Sequence, residues 1–136
     1  MIPRLARQRM LDLRSIHPEM RYYGVVPNED GLVTAAMAAW VPSYVACGWD
    51  QAGGFEAGMT AVHELGHCYG RWHSTFCGAV APDGAEPYPY PEGKIGGTPD
   101  RPGAPAERYF GWDIVRRVAY PGNDYYDFMS YCWPRL

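Results

Sequence analysis

The sequence contains no apolar run of about 18 residues, which excludes a transmembrane helix. It also has no Lys/Arg cluster. With 12 Lys and Arg against 15 Asp and Glu, its formal net charge is -3, the wrong sign for displacing counterions from a nucleic-acid backbone. The opening residues, MIPRLARQRMLDLRS, carry arginines throughout and lack the apolar core of a secretory signal. The expectation is therefore a mature or truncated chain, or one that leaves the cell by another route. No internal repeat is visible.

What is present in excess is glycine and proline, 16 and 13 in 136 residues, about a fifth of the chain where roughly 12% is usual. Much of the fold must be irregular. A hydrophobic fraction of 47% with 20% charged residues still gives a globular composition. The length suits one domain, residues 1–136. Four cysteines, Cys47, Cys68, Cys77 and Cys132, allow three pairings that spacing does not distinguish.

Residues 3–16 read as an amphipathic surface helix, with Ile2, Leu5, Ala6, Met10, Leu13 and Ile16 on one face and Arg4, Arg7 and Arg14 opposite. His17 before Pro18 ends it and reads as a surface histidine. Residues 21–26 are β-branched and aromatic and read as a strand. Residues 32–49 supply one or two more, interrupted by Pro42, although 35–40 also suit a helical turn. Residues 56–69 read as a central helix that is apolar nearly all round and hence buried. Residues 78–108 lack periodicity and read as a long ordered loop. Residues 109–118 read as a short strand or helix.

The chemistry concentrates at HELGHCYGRWHS, residues 63–74. His63 and His67 are one helical turn apart and project from one face, roughly 6 Å from each other. Gly70 can take the left-handed conformation that ends a helix and reverses the chain, bringing His73 back as a third imidazole. Three neutral imidazoles leaving a fourth position open describe a catalytic zinc site, whereas structural sites usually close with thiolates. Glu64 lies about 100° round the helix from His63, placed to take a proton from a metal-bound water. HExxH alone also arises by chance in unrelated helices. Five fixed positions, three of them histidine, seldom coincide by accident.

These residues resemble the metzincin zinc-peptidase signature HExxHxxGxxH. A second, distant element is similar as well: DFMSYC, residues 127–132, looks like the Met-turn, with Met129 as its methionine. The resemblance is good over residues 63–132 and loose over 21–136, and the pattern is similar to bacterial extracellular peptidases of this family. It implies His63, His67 and His73 as zinc ligands, Glu64 as the general base, and Met129 as a soft floor beneath the ligands. Tyr131 stands where astacin-like and serralysin-like members place a tyrosine near the metal, while Ser74 looks matrixin-like. The family usually has more sheet at its start and a long helix after the Met-turn than this chain supplies. The same reading brings the segments holding Cys77 and Cys132 together, so a disulfide between these two is expected. Cys68 should be buried, either free or paired with Cys47.

The fold expected is α+β: a small twisted sheet and surface helix in an upper part (1–73), the active-site helix as cleft floor, and an irregular lower part (74–136). The function expected is a zinc-dependent endopeptidase, secreted or extracellular by resemblance. An extended polypeptide would add to the exposed strand edge within 33–46, with residues 131–134 walling the adjoining pocket. A monomer without nucleic-acid or membrane partners is expected. The alternative is a catalytically inactive, zinc-stabilised domain binding peptide or glycan through its Tyr and Trp, whose 15% aromatic content also serves an ordinary core.

Overall fold

A computed structural model describes residues 1–12, 19–27, 36–50, 55–96 and 109–132. The architecture is mixed α+β, and the chain divides into two units, Met1–Trp72 and His73–Leu136. His17 and the expected helical residues Leu13, Arg14 and Ile16 fall outside the described residues.

The first unit opens with α1, Ile2–Asp12. Its half-buried stripe keeps the expected Ile2, Leu5 and Ala6 but continues through Arg9 instead of Met10, which is 68% exposed. The cause is aromatic: the Arg9 guanidinium carbon lies 3.8 Å from the Tyr44 ring centroid, so Arg9 lays its stem inward and stacks. Arg21 approaches the same ring at 4.3 Å. Leu5 packs on the next element at Gly24, where a β-carbon would come within 2.7 Å of its Cδ1.

Strands β1 (Tyr22–Pro27), β2 (Ala36–Ala38) and β3 (Val45–Asp50) form a sheet in the order β1-β3-β2. β1 runs parallel to β3, from Tyr22 opposite Val45 to Pro27 opposite Asp50, and β2 runs antiparallel to it. Residues 36–38 are thus strand, the helical-turn alternative being excluded, and Pro42 lies in the connection to β3. Val45 and Ala46 are the buried apolar residues of this sheet.

Helix α2, Phe55–Cys68, packs against β3 and β2. It is not buried all round as its composition suggests: Val62 is 44% exposed and Tyr69, just past its end, 69%. Its buried positions are His63, Glu64, Gly66, His67 and Cys68, so the deepest stripe carries the polar, chemistry-bearing residues. Cys68 is wholly buried, and Cys47 and Cys68 are both free thiols.

In the second unit, a short 3-10 turn at Pro91–Gly93 and the hairpin of β4 (Phe110–Asp113) and β5 (Val118–Pro121) are the regular elements among the described residues. The segment expected as one strand or helix is therefore a two-stranded hairpin. Elsewhere single backbone bonds replace ladders: Asp127 N–H donates to Gly93 O at 2.7 Å, Ile95 N–H to Tyr125 O at 2.9 Å, and Ser74 N–H to Met129 O at 3.1 Å. Gly93 has φ +72°, and a β-carbon there would lie 2.9 Å from Phe76 Cβ. Both the backbone conformation and the close approach of Phe76 require glycine. Cys77 and Cys132 are joined in a disulfide across 55 residues. Among the described residues no helix is long and apolar enough to cross a membrane.

Candidate metal centre

The 3.6-residue period places His63 and His67 on one face of α2, their ring centroids 4.9 Å apart and edge to face. The helix is then stopped in a specific way. Gly70 has φ +86°, its N–H donates to His67 O at 2.9 Å, and the Arg71 N–H reaches back to Gly66 O at 3.0 Å. This pair of bonds is the Schellman termination, with the glycine in its left-handed position. Its consequence is chemical as well as structural: the reversed chain points the Arg71 carbonyl at His67, whose Nδ1 lies 2.7 Å from it. A carbonyl only accepts, so Nδ1 carries the proton and Nε2 keeps its lone pair.

His73 is held by the same device built from different parts. The chain turns tightly after it, with Thr75, Cys77 and Gly78 all at positive φ and the Ala79 N–H donating to Phe76 O at 3.2 Å. This turn returns the Val80 carbonyl to 2.5 Å from His73 Nδ1. His73 Nε2 is therefore also the lone-pair nitrogen, and it accepts from the Tyr131 hydroxyl at 3.3 Å. The ligand atoms offered by His63, His67 and His73 all lie within 4.8 Å of one another, so the group can hold a metal ion. Two imidazoles fixed by carbonyls in the metal-binding tautomer are the supporting arrangement that histidine-ligated metals require, so the donor set fits zinc.

Tyr131 is held close to His73 by the backbone around it. Ser74 N–H bonds Met129 O, and Tyr131 N–H bonds Phe76 O at 3.3 Å, so 74–76 and 129–131 run side by side with the Cys77–Cys132 disulfide at the end. Met129 is wholly buried. The turn that carries it is anchored by Asp127, whose Oδ1 accepts the Met129 N–H at 2.7 Å; its Oδ2 lies 3.2 Å from the Tyr88 hydroxyl, which donates more closely to Lys94 O at 2.6 Å. Ser74 is fully buried, and its hydroxyl finds no hydrogen-bond partner among the described residues.

Glu64 is 8% exposed. Burial pushes its carboxyl from 4.5 up to about 7, against a lowering contribution from a hydrogen bond donated by the Ala38 backbone. Ala39 N–H faces β3, where it donates to Val45 O. Alternation along a strand turns the Ala38 N–H the other way, to the edge of β2 that has no strand beside it among the described residues. Glu64 thus sits at the open edge of the sheet. Its negative form also helps to raise Tyr23 and Cys47 above their usual values, after burial as the main cause for both.

The Ala38 amide, the Arg71 and Val80 carbonyls, and the Asp127–Tyr88 pair escape the sequence reading. Main-chain groups leave no residue-type signal. Asp127 did leave one, since an Asp two residues before a turn amide is the common side-chain-capped turn.

No protein-family model, curated protein or solved structure matches the chain.

Proposed function

We propose that this chain is a zinc-dependent endopeptidase of the metzincin type, acting on extended polypeptide. The observation that carries the reading is the convergence of His63, His67 and His73 within 4.8 Å of one another, with Glu64 buried one residue along the same helix. His63, His67 and His73 would hold the ion through one ring nitrogen each. When bound, zinc supplies a Lewis acid and brings the pKa of a coordinated water to about 7.

Glu64, buried one residue from His63 on the same helix, is placed to exchange a proton with a water at the metal. It takes the proton from the attacking water and returns it to the leaving amine. With His73 Nε2 engaged by an ion, the Tyr131 hydroxyl, now 3.3 Å from that nitrogen, would lose its acceptor there and be free to donate to the scissile carbonyl oxygen. A peptide adding to the open edge of β2 would meet the same row of amides to which Glu64 is bonded. The disulfide fits an oxidising compartment, and secretion is part of the proposal.

Metal analysis and casein digestion test it together. The expected result is one zinc per chain and cleavage abolished by chelation, with Glu64→Gln keeping zinc while losing about a hundredfold or more of turnover. Cleavage by a metal-free preparation overturns the proposal, and zinc binding without any cleavage by the unaltered chain favours the inactive binding domain.

A further inference from the structure

The β4–β5 hairpin presents an apolar surface that neither the metal centre nor the packing of its own unit accounts for. In an antiparallel pair, directly opposed residues share a face. One face, Gly111 with Tyr120, turns inward: a β-carbon at Gly111 would touch Tyr120 and Ile95, and the Tyr120 ring packs tilted against Tyr125 with centroids 4.9 Å apart. The other face carries Phe110 opposite Pro121 and Trp112 opposite Ala119, with Phe110 62% and Trp112 55% exposed. At the tip Ile114 is 78% and Val115 87% exposed, followed directly by Arg116 and Arg117.

The tip is a preformed feature. Asp113 Oδ1 accepts the amides of Val115 and Arg116, each at 2.9 Å, and Arg117 N–H closes the turn on Asp113 O at 2.7 Å. Arg117 occupies the left-handed position of this turn, φ +57°, where glycine would be free of the steric cost an arginine meets.

We propose that this hairpin seats the protein on an anionic phospholipid surface, with Ile114 and Val115 inserted, Arg116 and Arg117 at the headgroups, and Trp112 and Phe110 at interfacial depth. Four consecutive exposed residues at this turn, two aliphatic and then two cationic, suit shallow insertion with the guanidinium groups at headgroup level. Trp112 stands two residues behind Ile114, about 7 Å at roughly 3.3 Å per residue, within the depth of about 5–10 Å at which interfacial elements bury their apolar side. Tryptophan favours that depth because one edge of its ring is polar. The charge is complementary: two adjacent guanidinium groups stand at the tip of a chain whose net charge is -3, with Asp113 engaging Arg116 at 3.4 Å. This revises the expectation of no membrane partner, which rested on the lack of a spanning segment; adsorption needs none.

Co-sedimentation of the full chain with vesicles is the test, using phosphatidylcholine alone and phosphatidylcholine with about three-tenths phosphatidylserine. Partitioning at low salt should be about tenfold or more stronger on the anionic vesicles, and should fall as salt is added. Arg116→Ser/Arg117→Ser should bring anionic binding down about tenfold, toward the neutral-vesicle value. Ile114→Ser/Val115→Ser should lower binding to both vesicle types by about tenfold or more. All four side chains are exposed, so unchanged circular dichroism is expected for both variants. Absence of binding to either vesicle, or binding that survives the Ile114/Val115 change, overturns the proposal. So does a dimer in solution that this change converts to monomer without any vesicle binding, since a second copy would then be the occupant.

Discussion

The two units position their histidines by opposite means. In Met1–Trp72, periodic structure does the positioning: α2 sets His63 beside His67, and the sheet under it sets the amide that meets Glu64. In His73–Leu136, the described ligand region has almost no regular structure, and among the described residues all four non-glycine residues with positive φ, Thr75, Cys77, Glu92 and Arg117, belong to this unit. Turns, an aspartate anchor and a disulfide take the place of the helix there. The lesson is that the same local result, an imidazole Nδ1 donating to a backbone carbonyl, is reached in the first unit by ending a helix and in the second by folding a loop back. The first unit's liability should be electrostatic, a carboxyl taken out of water. The second unit's should be conformational entropy.

The largest expected effect breaks the second device. Replacing both Cys77 and Cys132 by serine releases a loop of 55 residues, worth about 4 kcal/mol in the chain-entropy model. Loss of amide protection in hydrogen exchange should be concentrated in 73–96 and 109–132, with α2 retaining its protection. Because the bridge ends the paired segments that carry His73 and Tyr131, zinc affinity should fall too, by about tenfold or more. Equal loss of protection in α2 and in 73–96 would erase the contrast between the units.

The next effect belongs to the first unit and is read in the metal-free protein. Glu64 has its carboxyl near 7 when folded, against 4.5 when exposed. Below pH 4.5 both states hold the proton, so the stability associated with the neutral side chain is fully present. Between 4.5 and 7 the unfolded chain releases its proton while the folded one retains it, and stability falls as pH rises. Over that window the loss is about 3 kcal/mol at roughly 1.4 kcal/mol per pH unit, levelling above 7. Glu64→Gln should flatten this decline in urea titrations across the window. A decline that persists unchanged in the variant would assign it to another group.

How much was legible follows the same division. Helix α2, its ligand stripe and the Gly70 stop were readable because a 3.6-residue period and a left-handed glycine each leave a mark in residue type. The stripe of α1 was right at Ile2, Leu5 and Ala6 and missed Arg9 in place of Met10, because Arg9 stacks on Tyr44, a tertiary contact that no local window contains. Residues 109–118 were ambiguous because strand and helix differ little over so short an apolar run, and the turn residue Arg117 is not one that announces a hairpin. In the second unit only side chains of special chemistry stood out, namely His73, Ser74, the two cysteines, Met129 and Tyr131. The carbonyl that orients His73 belongs to Val80, whose side chain is 75% exposed and has no part in the contact.

The smallest expected effect on stability tests whether ending the helix is itself part of the metal centre. Gly70→Ala places a β-carbon 3.8 Å from Pro42 Cβ, an ordinary contact, so crowding is not the issue. The cost is the left-handed backbone at φ +86°, about 1 kcal/mol for alanine. Relieving that cost means rotating residue 70, which breaks the Arg71 N–H bond to Gly66 O and swings the Arg71 carbonyl off His67 Nδ1. Zinc affinity should then fall by roughly tenfold, because loss of a histidine's orienting partner typically costs 10–100-fold. Gly70→Asn separates the two causes, since asparagine tolerates the left-handed region and should keep most of the affinity. If Ala and Asn weaken zinc equally, the absence of a side chain at 70 matters rather than its conformation. If neither weakens it, the Arg71 carbonyl is not what holds His67 in place.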